Sequence, residues 1–346
     1  MSTALHYFKW AFLVTVIGLA GTFWLGLRYE GTLGGALSFL LIGSVLAVLE
    51  ISLSFDNAIV NANKLKTMDP VWQKRFLTWG ILIAVFGMRI IFPVAVVAVA
   101  AWVGPFEAVR IAATDPERYA HLMHESHLSI AAFGGTFLML VALSFFIDED
   151  KEVDWLHHVE RGMRRAAPIQ GLAYGVALLL VLIFGNMLPA GERSGFFGAA
   201  ILGAVVFMGV EALSHVLDSK EEVRGAAGAG GLGAFLYLEV LDASFSFDGV
   251  IGAFALTQNL FLIAIGLGIG AMYVRSMTIM LVEKGTLSEF RFLEHGAFYS
   301  ILALSVIMFS QSILAVPEVV TGLIGAAIIG MSLTASIRER AAHLDG

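Results

Sequence analysis

Two stretches of this chain set acidic residues inside apolar runs, and the two stretches resemble each other. The first holds Glu50 and, six residues on, Asp56, with Ser54 and Phe55 directly before that Asp and Asn57 after it. The second holds Asp242 and, six residues on, Asp248, with Ser246 and Phe247 before it and Gly249 after it. An ionised side chain at the bilayer centre costs about 2.5–3.5 kcal/mol on the lenient insertion scale, so four of them set roughly 10 kcal/mol against insertion. That is comparable to a whole domain's stability of about 5–15 kcal/mol. A bound cation is the simplest compensation. Carboxylate, Asn, Ser and backbone oxygens suit a hard dication such as Mn2+, Ca2+ or Mg2+, and a chain without Cys has no thiolate to offer a softer metal.

Charge supports a divalent ion. Glu50, Asp56, Asp242 and Asp248 bring four negative charges, and Arg89 and Arg275, each nine residues after a glycine (Gly80 and Gly266), bring two positive ones if they face the same cavity. The remainder matches one dication. Glu239, one helical turn before Asp242, is a further ligand or an entry residue, and its charge leaves room for a proton. The structural alternative is an Arg–carboxylate pair in each copy. Matching acids in both copies favour the ion pathway that intramembrane ionisable groups mark by default.

In an unbroken helix, six residues turn the chain by roughly 240° net over about 9 Å, so Glu50 and Asp56 would point to different sides. Ser54 and Asn57, like Ser246 and Gly249, are poor helix-interior residues that favour caps and turns. The spacing therefore predicts a helix interrupted at each motif, turning both acids to one point and freeing backbone carbonyls for a cation. Ser54 and Ser246 join the expected ligands.

The elements that must hold these residues are transmembrane helices. The chain is 58% hydrophobic and 14% charged, with mean hydropathy +0.84, far from the soluble average. Apolar runs give about ten spans: 7–27, 34–60, 77–103, 127–147, 169–189, 196–216, 231–257, 260–282, 296–315 and 318–337. The expected fold is all-α, a polytopic bundle forming a single membrane domain over 1–346. The first run continues through Trp24 and Leu27, longer than a signal-peptide core requires. Alternate sides of this arrangement carry fifteen and four Lys or Arg, so both termini are expected to be cytoplasmic.

The two acidic motifs and the two glycine-to-arginine spacings recur in the same order. This predicts a first repeat over 7–189, with core 34–147, and a second over 196–337, with core 231–315. Five spans per repeat make them inverted, and such repeats bind substrate at the midplane.

Other polar groups read differently. Glu211 with His215, beside Glu294 and His295, lacks a third metal ligand from the sequence and reads as an interfacial hydrogen-bonded set. His121, His124, His127 and Glu125 cluster at the polar 104–126 stretch and read as a solvated loop, with a weak outer metal site on one helix face as the alternative. The 148–168 stretch, with its mixed charges and His157-His158, reads as a short interfacial helix or wet loop. Gly228, Gly230, Gly231 and Gly233 lack a phosphate-loop context and read as helix packing. Basic and aromatic residues do not interleave as a nucleic-acid site would require.

With Glu50, Asp56 and Asn57 in one copy and Glu239, Asp242 and Asp248 in the other, the chain resembles the TerC family of integral membrane proteins. Within it, the chain is most similar to the long bacterial group defined only as a domain of unknown function, DUF475. The resemblance covers spans two to four and seven to nine. It implies the lysine-exporter-like superfamily, manganese efflux, a link to tellurite resistance, and Glu50, Asp56, Asn57, Asp242 and Asp248 as ion ligands. Gly249 stands where shorter members carry Ser, so that hydroxyl is missing and Ser246 takes its place.

The expected function is a secondary transporter, not an enzyme, that exports a divalent cation, Mn2+ before Ca2+ or Mg2+, across the inner (plasma) membrane. It has no prosthetic group. Its partners are the bilayer, the ion and a coupling proton, and a homodimer is compatible with the sequence. An intramembrane aspartyl protease built on Asp56 and Asp248 leaves Glu50 and Asp242 without a role. A scaffold or sensor that binds metal without moving it is the third reading.

Overall fold

Gly31, with φ +65°, ends the first helix and lets the chain reverse; Thr32 caps the second by accepting the Gly35 N–H at 3.1 Å. The computed structural model describes the chain except residues 1–2, 81–82, 84–86, 88–90, 92–93, 95–97, 99–102, 149–150, 152, 170, 224–230, 258, 286–288, 315 and 345–346, and except the side chains of some helical residues. Every regular element among the described residues is helical. They are α1 (Thr3–Glu30), α2 (Leu33–Leu53), α3 (Phe55–Lys66), α4 (Pro70–Arg75) running into a π turn (Phe76–Gly80), α5 (Pro105–Thr114), α6 (Pro116–Phe146), α7 (His157–Arg165), α8 (Leu172–Met187), α9 (Ala190–Val223), α10 (Leu232–Leu256), α11 (Leu260–Glu283), α12 (Leu293–Gln311) and α13 (Glu318–Leu344).

Seven of these contain stretches long and apolar enough to cross a bilayer: α1, α2, α6, α9, α11, α12 and α13. A crossing needs about 20 residues, and α1 alone has 28. The other three expected spans differ. α8 is apolar but has only 16 residues. α10 has 25 residues, ample in length, and carries Glu239, Asp242 and Asp248. The 77–103 span lies largely outside the described residues.

The helix expected to break at the first acidic motif does break. Ser54 sits between α2 and α3 with φ −102° and ψ 18°, its N–H still donating to the Glu50 carbonyl. The second motif departs from expectation, because α10 runs unbroken from Leu232 to Leu256 through Asp242, Ser246, Asp248 and Gly249. Local propensity is a weak prior, and in an apolar surrounding a continuous helix satisfies every backbone group internally.

Two polar stretches also depart. The 104–126 segment is helical, not a loop: Pro105 opens α5, and Asp115 caps α6 by accepting the Arg118 N–H at 3.1 Å ahead of Pro116 in the first turn. A polar cap followed by proline is a helix-start signal. The 148–168 segment contains the expected short helix, α7, but it is not a wet face, since Glu160 is 0% exposed. His157 and His158 are exposed, as expected.

The chain forms two compact units, each of three separate segments. The first unit takes 1–58, 70–127 and 238–280; the second takes 59–69, 128–237 and 281–346. Each draws on both halves of the sequence. In the first, α1 packs on α2 where a side chain at Gly26 would lie 2.6 Å from Ala36 Cα. Small residues at such crossings allow close backbone approach. In the second, α12 packs on α13, and α8 on α9, while Phe145 and Phe298 stack at 3.8 Å between centroids.

Candidate functional site

The acids of the two motifs, Glu50, Asp56, Asp242 and Asp248, fall with Glu239 in the first unit, because it gathers 1–58 with 238–280. Glu50, near the end of α2, is 2% exposed. Its Oε1 accepts the Ser54 hydroxyl at 2.9 Å, so the residue that ends the helix also fixes the carboxyl one turn back. Asp56 lies in the first turn of α3, where a helix start carries partial positive charge, and its Oδ1 accepts the Asn57 backbone N–H at 2.8 Å. Both are buried, as are Ser54, Asn57, Glu239 and Asp242.

The two motifs meet at Glu50. A Cβ at Gly249 of α10 would stand 2.9 Å from Glu50 Oε2, so the glycine after Asp248 lies directly against the acid that opens the first motif. Gly249 is therefore more than a missing hydroxyl, since the space its side chain would need is taken by Glu50. On α11, a Cβ at Gly270 would overlap the Glu50 stem.

Two groups in this unit are buried acceptors in want of a donor. The amide oxygen of Asn57 and both carboxyl oxygens of Glu239 have no hydrogen-bond partner among the described residues. Glu239 Oε1 faces Gly80 in the π-helical stretch, 2.8 Å from where a Cβ would be. Buried polar atoms are nearly always satisfied, and acceptors alone are satisfied by a donor or a cation.

Arg275 was expected to balance these charges. Its guanidinium donates from Nε and Nη2 to the Leu77 carbonyl in the π-helical stretch, at 2.9 and 2.7 Å. Arg89 and the side chains of Ser246 and Asp248 lie outside the described residues. Among those that are described, no three His, Asp or Glu side chains are gathered closely enough to hold a metal ion.

The remaining polar candidates separate. His121 and Glu125 approach at 3.6 Å on an exposed face of α6. Glu211 accepts the Tyr174 hydroxyl at 3.5 Å, and Glu294 accepts the Asn63 amide at 2.6 Å. The side chain of His215 and residues Gly228 and Gly230 lie outside the described residues. His295 joins neither Glu211 nor Glu294 in a pair. Its Nε2 is 2.8 Å from the Val153 carbonyl, and so carries the proton, and 3.4 Å from Glu160 Oε2.

Glu160 centres a buried polar cluster in the second unit that sequence reasoning missed. It accepts from Lys151 Nζ and from the Trp155 and Leu156 N–H groups. Arg164 bonds Asp154 Oδ2 at 2.9 Å and the Lys151 carbonyl at 2.6 Å. Burial pushes the Glu160 carboxyl up, but the Lys151 and Leu156 hydrogen bonds and the His295 and Lys151 charges outweigh it, leaving Glu160 below the ordinary glutamate range. The only local signal was Glu160 placed to reach back to the start of its own helix.

Apolar helices in this number and of this length define an integral, multi-pass membrane protein of all-helical fold. The DUF475 family, described as a protein of unknown function, matches residues 55–343, and the chain belongs to it. No curated protein and no solved structure matched the chain.

Proposed function

We propose that this protein is a secondary transporter, not an enzyme, that exports a hard divalent cation, manganese before calcium or magnesium, through the first unit. The observation that carries the reading is the seating of Glu50 from one acidic motif against Gly249 of the other, in the same unit as the buried acceptors of Asn57 and Glu239. Oxygen acceptors without thiolate or imidazole select a hard cation. Glu50, Asp56, Asn57, Asp242 and Asp248 are the proposed ligands, with Glu239, Ser54 and Ser246 contributing.

The likeness to the TerC family and the lysine-exporter-like superfamily supports the same cargo. Inverted repeats that rock about a midplane site would expose it to each side in turn, and protons taken up by the acids would assist release. The Lys/Arg asymmetry favours cytoplasmic termini in a plasma membrane.

The test is flux of Mn2+, Ca2+ and Mg2+ in proteoliposomes, wild type beside Asp56→Asn. Saturable Mn2+ movement that is lost in Asp56→Asn is expected. Binding without movement would make the protein a scaffold or sensor, and neither binding nor movement would end the reading.

A further inference from the structure

We infer that Gly249 and Gly270 are positioning residues that set how far the Glu50 carboxyl reaches, and so set the size of the ion it can serve. The inference rests on the proposed transport function. Three elements hold Glu50. Ser54 donates to Oε1 at 2.9 Å. Gly270 of α11 leaves room for the stem, where a Cβ would overlap Cγ and lie 3.3 Å from the Ala47 carbonyl. Gly249 of α10 leaves room for Oε2, where a Cβ would lie at 2.9 Å. Real side chains do not approach that closely, so any residue larger than glycine at 249 displaces the oxygen.

Helix packing accounts for Gly266, another glycine in this unit. Gly266, one turn before Gly270, faces Leu46, with a Cβ there meeting Leu46 Cβ at 2.6 Å. Gly266 and Gly270 form the small-x-x-x-small pattern that brings helix backbones together. Gly249 differs because its space is filled by an ionisable oxygen. A methyl group at 249 meets the tip of a flexible side chain, so it moves the Glu50 oxygen rather than a helix, whereas one at 266 would press on Leu46 Cβ.

The chemistry is that of cavity size. Carboxylate reach and site rigidity separate Mn2+ and Mg2+, bound at shorter distances, from Ca2+, bound at longer ones. Moving the Glu50 oxygen away from α10 alters the set of distances the site can offer.

The experiment is binding of Mn2+ and Ca2+ to purified protein, with thermal melting in parallel, for wild type, Gly249→Ala, Glu50→Asp, the double variant and Gly266→Ala. Gly249→Ala is expected to weaken Mn2+ binding by about ten- to hundredfold, the usual effect of disturbing a ligand's support. Glu50→Asp draws the carboxyl back by one methylene, so the double variant should bind better than Gly249→Ala alone. Gly266→Ala should lower the melting temperature and leave the Mn2+/Ca2+ preference unchanged. Wild-type affinity in Gly249→Ala, or no recovery in the double variant, would overturn the inference and leave the transport reading standing. If wild type binds no dication, the transport reading fails, and the positioning of Glu50 is decided by melting: coupled effects of the two substitutions uphold it, and additive effects reject it.

Discussion

The guanidinium of Arg275, on α11, donates two hydrogen bonds to a single backbone oxygen, that of Leu77. The acceptor lies in the π-helical stretch Phe76–Gly80, a backbone geometry that occurs often at functional sites. Arg275 therefore ties two segments of the first unit that are 198 residues apart in sequence.

Arg275→Lys keeps the charge and loses the planar fork. We expect the melting temperature to fall, by about 1.5–3 kcal/mol of stability for a hydrogen bond from a charged group, with divalent-ion affinity retained. Unchanged melting with lost affinity would place Arg275 in the ion site.

Glu239 is buried without a partner for either oxygen among the described residues, which is costly for a purely structural residue. If it serves the ion, Glu239→Gln should weaken Mn2+ binding by roughly 10- to 100-fold with no loss of stability in the ion-free protein. Gly80→Ala, which would press on Glu239 Oε1, should weaken binding in the same sense. Equal titrations for all three proteins, measured calorimetrically, would remove Glu239 from the site.

Glu160 makes the second unit sensitive to acid. Its carboxyl is held below the ordinary value of 4.5, and a carboxyl lowered on folding contributes stability that is complete above its unfolded value and disappears as pH falls through the folded one. Hydrogen exchange across 153–165 should therefore accelerate below about pH 4.5, the unfolded glutamate value, in wild type. Glu160→Gln should abolish that dependence and cost about 3–5 kcal/mol, because Lys151 is left buried without its carboxylate. Identical pH profiles for the two proteins would contradict the assignment.

The break at Ser54 and the continuity at Ser246 show how far local sequence reaches. Both motifs place Ser-Phe before an Asp, and both contain residues that disfavour helix interiors. At Ser54 the hydroxyl is engaged by Glu50, and the chain leaves the helix there. α10 continues through the same pattern. Sequence also marked Glu50, Asp56, Asp242 and Glu239 as acids in apolar surroundings, and all four are buried. Gly249 and Gly270 were not legible as neighbours of Glu50, since contact between α2, α10 and α11 is a long-range event. Arg275 was assigned to charge balance from its spacing alone, which carries no information about the Leu77 carbonyl.

By itself the sequence determined the all-helical membrane character, because the length of an apolar run and the cost of exposing backbone in lipid are properties of a contiguous segment. It also determined which acids would be under electrostatic duress, since their neighbours along the chain are apolar. Only the tertiary structure decided what each acid touches: Glu50 against Gly249, Glu239 against Gly80, Glu160 beneath Lys151 and His295. Those partners lie outside the acid's own helix, and packing is selected by shape complementarity summed over many contacts, which no local pattern encodes.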